Sequence, residues 1–252
     1  MKGRISAFQS MGAVDGPGVR CVVFMQGCPL RCVYCHNPET WERNGGFETD
    51  TEELVRKILR YKSFISRGGG VTISGGEPLI QPEFCRELFR RLKAEGIHTA
   101  LDTSGIGDLQ AADTVLEYTD LVLCDVKFHT ERAYKEYCGG SFRQVEAFLE
   151  LVKRRNVALW FRHVVVPGIT DSKEEIQALH AFGKGYPSLE RIELLPFQKM
   201  CMTKYEKFDM EFPLKDVPVC DPETIETLKT YMSDLEITGL TNRKRYDKIS
   251  SR

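Results

Sequence analysis

The segment GCPLRCVYCHNPET (residues 27–40) sets Cys28, Cys32 and Cys35 in C-x3-C-x2-C spacing, three sulfur donors from one short loop. Thiolates grouped in this way hold zinc or an iron–sulfur cluster. The fourth ligand separates the two. His36 is the immediate neighbour of Cys35, and adjacent residues do not easily reach two corners of one tetrahedron, so structural zinc would need a distant fourth donor that no spacing identifies. A [4Fe-4S] cluster on three cysteines instead leaves one iron open to a substrate or cofactor. The other cysteines, Cys21, Cys85, Cys124, Cys138, Cys201 and Cys220, have no paired spacing and read as small buried hydrophobes.

These residues need a scaffold. Strand-like runs fall at 20–26 (RCVVFMQ), 70–74 (GVTIS), 98–103 (HTALDT), 120–126 (DLVLCDV), 158–166 (ALWFRHVVV) and 191–197 (RIELLPF). Helical patterns separate them, with start signals at Asp50 and Glu53, Pro82, and Ser172 and Glu175; a last helix is expected from Asp221 and Pro222 to about Leu235. Repeated β-α connection implies a parallel sheet, either open and doubly wound or an incomplete barrel with one open side. In both, chemistry gathers where strands end. The cysteine loop, SGGEP (74–78), DTSG (102–105), DVK (125–127), Arg162 with VPG (166–168) and LLPFQ (194–198) lie at or near six such ends.

With 252 residues, one domain spanning 1–252 is expected. A net charge of -1 offers no field for nucleic acid or an anionic membrane. No apolar run has the length of a membrane span, no export signal opens the chain, and the cysteine number is odd, so reduced thiols and a cytoplasmic location are expected. The basic stretch 242–252 reads as a solvated terminus.

The three-cysteine loop with Tyr34 before its last cysteine, followed by GGEP, resembles the radical S-adenosylmethionine superfamily. GAVDGPGVRCVVFMQGCPLRCVYCHNP (12–38) is similar to the signature of enzymes that activate glycyl radical enzymes, and GIHTALDTSG, DLVLCDVK, WFRHVVVPG and IELLPF extend the likeness over nearly the whole chain. The resemblance implies an incomplete (β/α)6 partial TIM barrel with an open lateral side. It also implies a [4Fe-4S] cluster on Cys28, Cys32 and Cys35. Its fourth iron would take the amino and carboxylate groups of S-adenosylmethionine, which is then cleaved reductively to methionine and a 5′-deoxyadenosyl radical that abstracts a glycine α-hydrogen. Tyr34 and His36 would lie against the adenine, and Gly75 and Gly76 would let backbone approach the methionine moiety. Glu77 would accept from the ammonium or brace the loop.

Read alone, Asp102, Thr103 and Asp125 are helix-cap or turn residues. The resemblance makes them ligands of a monovalent cation, sodium or potassium, with Val126 and Lys127 beside them and Lys127 and Arg162 near the cofactor carboxylate or substrate peptide. Gln198 departs from the family, which has a histidine there; glutamine hydrogen-bonds but does not titrate. The implied partners are a glycyl radical enzyme and a flavodoxin or ferredoxin as electron donor, with the chain acting as a monomer. Related activases carry a cysteine-rich insert after the cluster loop. No cysteine lies between His36 and Gly75, which favours pyruvate formate-lyase as partner over another glycyl radical enzyme such as anaerobic ribonucleotide reductase. The alternative of a different class is a zinc-binding interaction module, separable by iron and sulfide content.

Overall fold

The computed structural model describes residues 1–232; the expected end of the last helix near Leu235 and the basic stretch 242–252 lie outside them. Its strands are β1 (Lys2–Gly12), β2 (Arg20–Met25), β3 (Phe47–Asp50), β4 (Gly70–Gly75), β5 (Thr99–Thr103), β6 (Leu121–Asp125), β7 (Ala158–Val165) and β8 (Leu189–Pro196). They form one sheet in the order β3-β1-β2-β4-β5-β6-β7-β8. The six expected strands are β2 and β4 to β8, each pairing in parallel with the next.

The expectation of six strands is corrected to eight. Strand β1 pairs antiparallel with β2 and carries β3 on its other edge. Register shifts between Ile5 and Ala7 and between Gln9 and Gly12 break the two-residue period that would have announced β1. Strand β3 is four residues with one apolar side chain, and pairings such as Lys2 with Asp50 and Arg4 with Glu48 define it.

Helices cover one face of the sheet. The crossovers bury Leu54 and Ile58, then Phe84, Leu88 and Phe89, then Val115, then Phe148 and Val152, then Ile176 and Leu179, against Val23, Ile73, Leu101, Val122 and Phe161. Their starts follow the sequence signals. Asp50 accepts from the Glu52 amide at 2.8 Å, the Ser172 hydroxyl accepts from the Glu175 amide at 3.1 Å, and Pro82 opens its helix. The last helix runs Pro222–Thr230.

Successive strand residues point to opposite faces. The face away from the main core has its own small apolar cluster of Ala100, Leu121, Leu123 and Trp160. Two residues nearer the C-terminal strand ends it turns polar, with Ser74 and Arg162 both donating to Asp102. The sheet therefore has a greasy outer face that holds the fold and an inner face that becomes charged at one end. All six scattered cysteines are buried, and all nine are free thiols.

Candidate active site

The cysteine loop leaves β2 through Gly27, whose φ of +94° turns the chain sharply. Backbone bonds clamp it on two sides. The Gly27 amide donates to the Thr40 carbonyl at 2.7 Å and the Cys28 amide to the Trp41 carbonyl at 3.3 Å. On the other side, the Arg31 amide donates to Cys138 at 2.8 Å and the Val33 amide to Tyr137 at 2.9 Å, so Cys32 is framed by the helix Glu131–Cys138. The Cys35 amide closes back on the Cys32 carbonyl at 3.0 Å. His36 ties the loop to the end of β8: Nε2 lies 2.9 Å from the Gln198 carbonyl, which can only accept, so that nitrogen carries the proton.

Burial, with the nearby Glu77 carboxylate, pushes the Cys28 thiol up to about 12. Burial pushes Cys35 up to about 11, while the Asn37 amide and the Trp41 indole N–H pull the other way. A hydrogen bond to the Cys138 thiol and burial hold Cys32 well above the ordinary range. As free thiols all three keep their protons, and bound cations would displace them.

The surroundings want an acceptor. Tyr34 Oη, Trp41 Nε1, Tyr134 Oη and Tyr205 Oη are buried without a partner. Each tyrosine lies near cysteine sulfurs: Cys138 and Cys32 for Tyr34 and Tyr134, and Cys35, Cys201 and Cys32 for Tyr205. Buried donors are normally satisfied, so such a ring fits a group rich in sulfur acceptors. Among the described residues no three His, Cys, Asp or Glu side chains converge on a single metal ion. Thiolates spread over separate irons of one cluster do not need that convergence.

Beside the loop, Glu77 is 1 % exposed and fully engaged. Oε1 accepts from Thr103 Oγ1 at 2.5 Å and the Leu79 amide at 3.0 Å, and Oε2 from the Ser104 hydroxyl at 2.5 Å and amide at 2.9 Å. Its geometry is that of a brace between the ends of β4 and β5. The glycines before it are also fixed from within. A Cβ on Gly75 (φ +108°) would stand 2.3 Å from Met25 N, and one on Gly76 2.1 Å from Gly27 O. The close approach that requires glycine here is to the root of the cysteine loop, held by Gly76 N–H to Met25 O at 3.0 Å and Glu77 N–H to Gly27 O at 2.8 Å.

Asp102, at the end of β5, accepts from Ser74 at 2.7 Å and from Arg162 at 3.1 Å on Oδ2, whereas Oδ1 is buried without a partner. Burial pushes its carboxyl up to about 6, Arg162 opposes this, and Asp125 adds to it. Arg162 also faces Glu193 at 3.7 Å. Asp125, at the end of β6, takes Lys127 Nζ at 2.9 Å. Burial is the largest single influence on Lys127 and opposes its charge, but Asp125, Cys32, Tyr34 and Tyr134 together overcome it and raise the ammonium pKa. Val126 is buried, donating to the Arg162 carbonyl at 3.0 Å and accepting from His163 at 2.8 Å, so its backbone links β6 and β7.

Every residue singled out in the sequence therefore lies at or beside the C-terminal ends of the parallel strands. Tyr34 is 5 % exposed and packed on Phe128 with ring centroids 6.3 Å apart. Sequence reasoning missed Asp15, Trp41 and Cys138. Asp15 lies in the glycine-rich stretch before β2; its carbonyl accepts from Thr72 at 2.6 Å and its carboxylate is near enough to Arg162 to feel its charge. The segment DGPG was its only signal. Cys138 and Trp41 had none, since only folding brings them to the loop.

An unclosed, mostly parallel α/β sheet with a three-thiol loop and paired charges at its strand ends defines the class: the chain belongs to the Radical SAM superfamily, whose sequence model matches residues 22–180. The chain is 47% identical to the pyruvate formate-lyase-activating enzyme of Clostridium pasteurianum over 92% of its own length and 98% of that protein's. It is 41% identical to the pyruvate formate-lyase 1-activating enzyme of Escherichia coli K12 over 90% and 94%. Within the superfamily it is a member of the pyruvate formate-lyase-activating enzyme family. A radical SAM methyltransferase from Sphaerobacter thermophilus shares the fold, with a TM-score of 0.63 at 15% identity over 85% of this chain and 64% of that one. Membership implies a [4Fe-4S] cluster and S-adenosylmethionine. Among the described residues no helix is long and apolar enough to cross a membrane.

Proposed function

We propose that the protein activates pyruvate formate-lyase by generating a glycyl radical on it. The observation that supports this most is the junction of two things in one place: a three-thiol loop ringed by unpartnered buried donors, and a row of carboxylates and cations at the neighbouring strand ends. It stands in a chain aligned almost end to end with named activating enzymes. A reduced [4Fe-4S] cluster held on Cys28, Cys32 and Cys35 would supply one electron to the sulfonium of a bound S-adenosylmethionine, whose reductive cleavage to methionine would provide the hydrogen-abstracting chemistry that acts on glycine.

The chain's own residues hold and orient the parts. Cys28, Cys32 and Cys35 carry the irons. Gly75 and Gly76 seat the methionine moiety beside the cysteine loop, whose root they already touch. His36, its ring fixed by the Gln198 carbonyl, and Tyr34 face the adenine. Lys127 and Arg162 offset the charge of the cofactor carboxylate and of Asp125 and Asp102. The unpartnered Asp102 Oδ1, with Thr103 and Asp125 alongside, suits a sodium or potassium ion. The unpaired sheet side leaves room for a glycine-bearing loop, bordered by 166–172 and by 197–208, where Met200 is 79 % exposed. A flavodoxin or ferredoxin donates the electron to a monomeric, cytoplasmic enzyme.

The test mixes anaerobically reconstituted protein, a reductant and S-adenosylmethionine with pyruvate formate-lyase from the same source. Electron paramagnetic resonance should show an organic doublet that disappears when the target glycine is replaced by alanine. A doublet only with another glycyl radical enzyme would overturn the partner and keep the chemistry. No doublet with any, despite a full cluster, would overturn both.

A further inference from the structure

One wall of the mouth is a loop. Between β1 and β2 the segment 13–19 crosses the inner face of the sheet, so that a Cβ on Gly16 would stand 3.2 Å from Arg20 Cδ on β2 and 3.6 Å from Leu123 Cδ1 on β6. The Val14 carbonyl lies 3.4 Å from Arg162 Nη2, next to the bond between Arg162 and Asp102. Val14 itself is 74 % exposed. The segment thus reaches from the root of β2 to the charged mouth, with its tip open to solvent.

Two buried side chains hold it. Thr72, on the inner face of β4 two residues before Ser74, donates its hydroxyl to the Asp15 carbonyl at 2.6 Å. The same hydroxyl accepts from Arg20 Nε at 2.6 Å. Arg20 also donates through Nη1 to the Pro17 carbonyl at 3.1 Å and through Nη2 to the Val71 carbonyl at 2.7 Å. Nη2 lies 3.2 Å from His98 Nδ1, which accepts, because a guanidinium only donates. Thr72 and Arg20 are both fully buried. A charge taken out of water costs more than an apolar side chain in the same place, so a buried arginine is weak evidence for stability. What Arg20 and Thr72 do achieve is placement: they fix the Asp15 and Pro17 carbonyls on either side of Gly16.

An extended peptide around a glycine offers no side chain at the reacting position. It has to be recognised through backbone, and backbone binds well only where it is held in advance. Resting on the glycyl-radical reading above, we propose that Thr72 is a positioning residue which, with Arg20, holds segment 14–17 beside Arg162 as the fixed wall on which the glycine-bearing peptide of the partner enzyme is seated. Thr72 acts through the Asp15 carbonyl. The cysteine loop does not lean on this anchor, because its own clamps run to Thr40, Trp41, Tyr137 and Cys138. Loss of the Thr72 hydroxyl therefore reaches the peptide and spares the cluster.

The experiment uses the full chain with its cluster reconstituted and no reductant present, so that nothing turns over. Calorimetry gives its affinity for S-adenosylmethionine and then for a synthetic peptide spanning the target glycine of pyruvate formate-lyase, with iron content measured on each sample. Thr72→Val removes the hydroxyl and keeps the branched shape. It should retain parental iron and S-adenosylmethionine affinity but bind the peptide about tenfold more weakly, a change of about 1.4 kcal/mol. Thr72→Ser restores a hydroxyl and should bind the peptide like the parent. Parental peptide affinity in Thr72→Val, an equal loss of S-adenosylmethionine affinity, or a Thr72→Ser as weak as Thr72→Val would overturn the proposal. If Thr72→Val does not fold, Gly16→Ala decides it in the same two directions, since the added Cβ pushes the segment off Arg20 from the loop side. A parent chain that binds S-adenosylmethionine but no glycine-bearing peptide from any glycyl radical enzyme would instead sink the activase reading on which the proposal rests, so the two failures are distinguishable.

Discussion

The cysteine loop and the carboxylate mouth sit side by side at the strand ends, yet they meet their electrostatic needs in opposite ways. The mouth is nearly self-sufficient: Asp102 has Ser74 and Arg162, Asp125 has Lys127, and Glu77 has four donors. The loop is not. Its backbone is clamped from both sides while four buried donors around it go unanswered. Folding satisfies most of the first region, leaving Asp102 Oδ1 and Arg162 Nε without hydrogen-bond partners, whereas none of the four donors around the loop is answered. Charged side chains at the mouth can be paired by protein, because each sign is available on a neighbouring strand. The loop's thiols do not satisfy the donors around them, because a thiol is a poor acceptor.

The largest effect that would sharpen this contrast is at the loop. Replacing Cys28, Cys32 or Cys35 singly by alanine should abolish cluster formation, measured as iron and sulfide per chain after anaerobic reconstitution, while secondary structure by circular dichroism is retained. A variant that keeps full iron removes that cysteine from the ligand set.

At the mouth the balance should appear as stability. Arg162→Met leaves Asp102 and Glu193 facing each other half-paired in a buried site, and breaking a buried pair from one side costs about 3–5 kcal/mol. Denaturant unfolding of the cluster-free protein measures this. A loss below about 1 kcal/mol would mean that the mouth is not held by its ion pairs and would break the comparison.

A smaller, pH-dependent effect follows from Asp102. Its folded pKa is raised to about 6 from an ordinary value of 3.8, so the folded state holds this proton more tightly than the unfolded chain does. Its contribution is fully present below the unfolded pKa and is lost as pH rises through about 6. At neutral pH the loss is of order 1–3 kcal/mol. In Asp102→Asn the downward slope of stability between these two pH values should be absent, as read from denaturation midpoints across the window. An unchanged slope would show that Asp102 is not the group responsible.

The smallest expected effect is a control. Cys220 is buried, and its thiol sits by the Asp221 carbonyl at 3.5 Å, away from the loop. Cys220→Ala should leave iron content unchanged. Iron loss there would blur the boundary between the two regions.

Much of this was legible in the sequence because it is local or periodic. Ser172 with Glu175 and Pro82 marked helix starts by chemistry confined to one turn, and alternating runs marked the six parallel strands. The C-x3-C-x2-C spacing marked a three-thiol loop because its cysteines are neighbours in the chain. Even the convergence of Asp102, Asp125 and Arg162 followed from the strand ends they occupy.

Tertiary structure decided what depends on distant partners. Strand β3 exists only by pairing with a bulged β1, and neither carries an uninterrupted period. Gly75 and Gly76 read as room for a ligand but are required by the backbone of Met25 and Gly27, some 50 residues away in sequence. Glu77 became a brace because Thr103 and Ser104 arrive beside it on the next strand. Cys138 looked like an ordinary buried cysteine until its helix framed Cys32, and Trp41 like an ordinary aromatic until its carbonyl took the Cys28 amide. A side chain's type determines what it can donate or accept; which atom it faces is set by packing, and packing is a property of the whole fold.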